Sequence, residues 1–121
     1  MKKYSEIELN LLNIQIGCIL RFARLKKGLS QHSLSLNLGT NPTMVGRVER
    51  FESTSSWDKI YSISQQLNLD FCNLFELKSK NELLSIVNES IKLEEKLTEE
   101  KKEYYKNLKI TISNKFNSLI L

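Results

Sequence analysis

The chain has 121 residues, 40% hydrophobic and 26% charged, with a formal charge of +4 at pH 7 and a pI near 9.1. That is an ordinary globular mix, long enough for one compact domain with an appendage but not for two full domains. No apolar run approaches the length of a membrane span, and the Lys2-Lys3 start leads into a segment interrupted by Glu6, Glu8 and Asn10 rather than a signal peptide, so the expected location is cytoplasmic.

In chain order, residues 1–13 offer Ile7, Leu11 and Leu12 for a short amphipathic turn against the domain, or else form a frayed arm. A first helix is predicted from about Gln15 to Lys27. Ile16, Ile19, Leu20 and Ala23 supply its inward stripe, and Lys26-Lys27-Gly28 gives a cationic last turn and a stop. Ser30 caps a second helix, in which Leu34 and Leu38 share a face and Gly39 provides a left-handed end. Asn41-Pro42 opens the third, with Pro at the first helical position, where its missing N–H is not needed. Val45 and Val48 turn inward, leaving Thr43, Gly46, Arg47 and Arg50 facing out. Two short helices joined by a tight turn in this way make a helix-turn-helix. A loop rich in hydroxyls, Phe51 to Ser56, leads to a fourth helix ending near Leu67, with Ile60 and Ile63 inward and Trp57 and Tyr61 as core or interface packing. A short fifth helix, Asp70 to about Leu77, closes the core with Phe71, Leu74 and Phe75.

Beyond Leu77 the composition changes. Ser79-x-x-Glu82 is a capping box, and no Gly or Pro occurs from Lys78 to Leu121. Leu83, Leu84, Val87 and Ile91 form an apolar stripe that Tyr105, Leu108, Ile112, Phe116 and Leu119 resume. Between them, Glu94 to Glu103 is almost all charged, with Leu97 as its single large apolar side chain. A long helix, bent or broken near the charged middle, is predicted. Alone it cannot bury its apolar side, so pairing with a second chain, coiled-coil-like, is the first expectation. A tail folded back on its own domain is the second.

Gly17 with Arg21 and Arg24, Leu29-Ser30-Gln31, Leu34, Leu38-Gly39, Val45, Val48-Glu49-Arg50 and the closing Ile60, Ile63, Leu67, Leu69 and Leu74-Phe75 form one ordered series over about half the chain. On these residues the stretch from Ile16 to Leu77 resembles the lambda-repressor-like, Cro-type helix-turn-helix family of phage repressors and bacterial regulators. The resemblance implies an all-α, five-helix DNA-binding domain over residues 1–78, arm included; the apolar stripe beyond it adds the expectation of a C-terminal helical dimerisation segment over residues 79–121. The resemblance further implies an ion pair between Arg24 and Glu49, tying the first helix to the recognition helix. It also implies base-facing positions at Pro42, Thr43, Gly46 and Arg47, with Gln31 contributing from the preceding helix. Arg47 is the best candidate for direct readout, because a guanidinium matches guanine O6 and N7 with two parallel N–H groups. Candidate phosphate contacts are Arg21, Lys26, Lys27, Asn41 and Arg50, with Ser53, Thr54 and Ser55 in the loop. Leu84, Val87, Ile91, Leu97, Tyr105, Leu108, Ile112 and Phe116 would line the dimer. The chain departs from the family in four places: Pro42 offers only apolar contact, Gly46 has no side chain, Thr40 replaces the more usual Val, and Phe51 stands where Gly commonly ends the recognition helix. Modest discrimination per half-site is expected, with dimerisation and DNA shape supplying the rest.

The positive surplus lies mostly in residues 1–78, with ten Lys and Arg against seven Asp and Glu, compared with eight against seven afterwards. A DNA-binding domain needs such a surplus, though many proteins without that role share it. The expected function is therefore that of a dimeric, sequence-specific regulator of transcription, a repressor reading a palindromic operator in double-stranded DNA with the helix 42–50 in the major groove. The alternative is an antitoxin or adaptor whose residues 80–121 bind a second protein. No nucleophile–base pair, carboxylate dyad or Gly-rich phosphate loop is visible, so an enzyme is not expected. Cys18 and Cys72 form no CxxC pair, and with a single His a metal site and a cofactor are not expected either.

Overall fold

Ser5 opens the first helix with a capping box. Its hydroxyl accepts from the Glu8 N–H, and the Glu8 carboxylate accepts from the Ser5 N–H. From there α1 runs unbroken over Glu6–Lys26, 21 residues. In this computed structural model, which describes residues 5–51 and 56–119, the stretch read as a turn or a frayed arm is thus, from Glu6 on, the first part of a long helix. The reason is burial: Leu11 is fully enclosed and Ile14 nearly so.

Five more helices follow: α2 (Gln31–Leu38), α3 (Pro42–Glu49), α4 (Trp57–Gln66), α5 (Lys80–Leu93) and α6 (Glu99–Leu119). A 3-10 turn at Cys72–Phe75 stands where a fifth helix was predicted. Asp70, expected as its cap, accepts from the Cys72 N–H at 3.0 Å but stands one residue too early: Phe71 holds the cap position without a side-chain bond, and only four residues follow before the chain turns extended at Glu76. No strand occurs among the described residues, so the chain is all-α there, and none of their helices is long and apolar enough to cross a membrane.

Two apolar clusters share α1 between them. On one side Ile16, Leu20 and Ala23 meet Leu34, Val45, Val48, Ile60, Ile63, Leu67 and Leu74, which joins α1 to α2, α3, α4 and the 3-10 turn. On the other, Ile14 and Cys18 meet Leu83, Val87, Tyr105, Leu108 and Ile112 of α5 and α6. Both sets recur at helical spacing, so one helix serves two cores. Gln15, fully buried, pins the connector that leads from the first core to the second. Its amide nitrogen donates to the carbonyls of Leu74 (3.1 Å) and Glu76 (2.7 Å), and its amide oxygen accepts from the Lys78 N–H at 2.7 Å.

The C-terminal third differs from the first expectation. The helix is broken in the charged run, one of the two forms expected of it: α5 ends at Leu93, Glu94 is extended, and α6 restarts at Glu99. The two halves fold into a hairpin against α1. Val87, Tyr105, Leu108 and Ile112 are buried inside the chain, and Leu84, Ile91, Leu97 and Phe116 pack against the same cluster. The stripe assigned to pairing between chains is thus satisfied within one chain, as the second expectation had it. A partner tethered by the chain itself needs no second molecule to be recruited.

Candidate nucleic-acid interface

The site is built on the turn between α2 and α3. Ser30 caps α2 by accepting from the Ser33 N–H. Gly39 ends that helix at φ +66°, in the left-handed region where a Cβ would be strained, and lets Thr40 N–H return to the Ser35 carbonyl at 3.0 Å. Asn41 caps α3, its Oδ1 accepting from both the N–H and the hydroxyl of Thr43 at 2.9 Å. Val45 and Val48 are buried in the first core, which sets the rotation of α3 and turns Thr43 and Arg47 outward, both exposed. They stand four residues apart, one turn along the same face.

Behind α3 lies a buried polar knot centred on Glu49, which is 1% exposed. Arg24 Nε donates to Glu49 Oε2 at 2.6 Å and its Nη2 to Oε1 at 3.1 Å, a two-pronged pair. The remaining Arg24 nitrogen, Nη1, donates to the Leu29 carbonyl at 2.7 Å, so this residue fastens α1, the α1–α2 turn and α3 together. Gln31 Nε2 donates to the same Oε1 at 3.0 Å, and Arg21 Nε adds a longer contact at 3.4 Å. Gly17 allows this closeness: a Cβ there would stand 2.5 Å from the Glu49 carbonyl oxygen and 3.0 Å from that of Val48.

Arg21 is a correction. Read as a phosphate contact, it is buried, donates to the Tyr104 hydroxyl at 3.1 Å and lies 4.7 Å from that ring's centroid, with Tyr105 at 5.5 Å. A guanidinium enclosed by two rings and a carboxylate is in no position to reach DNA. Cys18 lies next to this knot, and burial pushes its thiol up to about 12, against the pull of Arg21. Burial likewise raises Tyr104 and Tyr105, and for Tyr105 the hydrogen bond it donates to the Glu94 carboxylate adds to the effect.

Gly46 is a second correction. It is buried rather than outward, because Arg50 and Gln31 lie across it: a Cβ would meet Arg50 Nη1 at 2.9 Å and Gln31 Oε1 at 3.2 Å. These two side chains replace the glycine as the surface at that point. Lys26 and Lys27 are exposed at the end of α1, Lys26 resting over the Phe22 ring at 5.3 Å. Asn41 is exposed but committed to its cap. Pro42 occupies the first position of α3, its ring outside the described side chains; Ser53, Thr54 and Ser55 fall outside the described residues altogether, as do Lys2 and Lys3.

Tyr104 and Gln15 carry structural weight that the linear sequence does not announce. Tyr104 lies 83 residues from Arg21, and nothing local marks it. The hairpin also faces the site across an open groove of about 930 Å³, with Ser30, Gln31, Ser33 and Arg50 on one wall and Glu94, Glu95, Lys96 and Lys101 on the other. Its lining carries five cations, Arg21, Arg24, Arg50, Lys96 and Lys101, against three carboxylates, Glu94, Glu95 and Glu100. Among the described residues no group of three or more His, Cys, Asp or Glu is placed to share a metal ion. Set against known proteins, the chain matches no family model, no curated sequence and no solved structure.

Proposed function

We propose that this protein is a sequence-specific double-stranded DNA-binding regulator of the lambda-repressor-like kind, acting as a repressor, with α2 and α3 as its helix-turn-helix. The observation that carries the reading is the division of α3 into two sides. Its inner side is clamped by Val45, Val48 and the buried Arg24–Glu49 pair. Its outer side presents Thr43 and Arg47 to solvent, with Arg50 and Gln31 alongside at Gly46. A rigid helix with one polar, cationic side uncovered is what entry into a major groove requires. Arg47 would read a guanine edge and Thr43 a thymine methyl or a base acceptor, while Lys26 and Lys27 would meet phosphates. The hairpin of α5 and α6 does not cover Thr43 or Arg47.

The alternative reading is an antitoxin or adaptor that binds a second protein through residues 80–121. That stripe packs against α1, so a second protein would have to meet the outer, charged side of the α5–α6 hairpin. Selection of bound duplexes from a random DNA pool tests the regulator reading. A recurrent motif whose preference at one position is lost with Arg47→Ala supports the assignment; no enrichment over the starting pool overturns it.

A further inference from the structure

The groove between α2 and the α5–α6 connector measures about 930 Å³, a size common among small-molecule sites, and its charge is unevenly spread. Arg21 and Arg24, both buried, border it and share a single carboxylate, Glu49, which leaves one positive charge over. Buried charges are otherwise paired. The Tyr104 hydroxyl and the two rings beside Arg21 bring no formal charge, and Glu94 is spent on Lys101 and the Tyr105 hydroxyl. Arg21 commits Nε and Nη2, while its Nη1 makes no hydrogen bond among the described residues. No fully buried side-chain nitrogen there lacks a partner, so Nη1 meets the solvent of the groove. We propose that this groove binds a small organic carboxylate, its charged end at Arg21 Nη1 and its hydrocarbon body against Leu25, Leu29 and Leu93.

Charge and lining select this class of ligand. Over the whole groove, with Glu49 counted behind it, cations exceed carboxylates by one, a surplus that a monoanion meets. A guanidinium and a carboxylate join through charge-assisted hydrogen bonds. A phosphate monoester brings about −1.5 to −2 at neutral pH. The exposed Glu95 and Glu100 outnumber Lys96 at the rim and disfavour that second charge. The three leucines give an apolar side that an inorganic ion would leave wet. Arg21 is closed to a duplex but open to a molecule of this size. Gln31 and Arg50, which lie across Gly46 of α3, stand on the same wall, so occupancy should change the affinity for DNA. That consequence rests on the regulator reading; binding of the carboxylate does not.

Titrating the full chain with hexanoate at constant ionic strength, followed by backbone amide chemical shifts, tests this directly. Shifts should concentrate on residues 29–33, Arg50 and residues 94–101 and saturate by about 20 mM. Hexanamide, the same body without the charge, should bind about tenfold more weakly or worse. Arg21→Gln should abolish the saturable shifts while helical circular dichroism is retained. Should that variant unfold, Glu95→Gln combined with Glu100→Gln provides the second arm. Both side chains are exposed, and their neutralisation should tighten hexanoate while leaving hexanamide unchanged. Equal binding of hexanamide, shifts scattered over the surface, or no saturation overturns the proposal, and so does displacement of hexanoate by inorganic phosphate. If hexanoate binds a chain that selects no DNA motif, the site stands and the regulator reading falls.

Discussion

Glu49 is the single residue on which the geometry of the site depends most. It accepts from Arg24, Arg21 and Gln31 in a setting with almost no solvent. Glu49→Ala leaves guanidinium groups buried without their anion, and we expect a loss of about 3–5 kcal/mol in urea-unfolding free energy. Gly17→Ala forces a methyl into the backbone of α3 and should cost about 1–3 kcal/mol. Arg47 is the opposite case. It is exposed, so Arg47→Ala should leave stability within about 0.5 kcal/mol of the parent. Its effect should instead be confined to DNA, relaxing one base preference by about 1–3 kcal/mol in a binding selection. The cysteines differ in the same way: Cys72 is exposed and Cys18 enclosed with a raised thiol. A thiol reagent should therefore titrate one group in the native chain and two in denaturant.

At the scale of elements, α6 belongs to the site although it lies far from it in sequence. Tyr104 covers Arg21, and Tyr105 closes the second cluster. Cutting the chain after Lys78 would expose Ile14 and Cys18 and leave Arg21 without its ring. The fragment should melt at a lower temperature than any single substitution in α5 or α6, as followed by circular dichroism. A fragment as stable as the whole would show that the hairpin is a passenger. The end of α3 illustrates the same dependence. Phe51 adopts φ +45°, a conformation that costs an L-residue roughly 1–2 kcal/mol, in the place where Gly was the expected residue. Its ring packs against the cluster of α5 and α6, and that burial offsets the backbone cost.

For the whole molecule, the buried acids predict a response to alkali. Cys18, Tyr104 and Tyr105 are all raised by burial, so each binds its proton more tightly folded than unfolded. Their contribution is fully present below the unfolded values, near 9 for the thiol and 10 for the phenols, and is lost as pH rises through the folded ones. The denaturation midpoint should therefore decline above about pH 9, and Cys18→Ala should delay the onset. Binding to DNA, if phosphates are met by Lys26 and Lys27, should weaken steeply with salt. A salt-independent affinity would argue against a phosphate-facing surface.

Local chemistry in the sequence was enough to place α2, α3 and α4, the caps at Ser30, Asn41 and Ser79, and the inward valines of α3. These features depend on neighbours within one or two turns: a hydroxyl before a helix, a glycine after it, apolar residues at helical spacing. The all-helical character was legible for the same reason, and so was the break in the charged run between α5 and α6. What the sequence left open was the partner of each apolar stripe, because a hydrophobic face specifies burial but not against what. Only tertiary packing decided that α1 reaches back to Glu6 to serve two cores, and that the C-terminal stripe closes on its own chain. It likewise decided that Arg21 and Gly46 are interior while the rings of α4 remain uncovered. Each of these outcomes is a competition between contacts far apart in sequence, settled by which surfaces the folded chain brings within reach of one another.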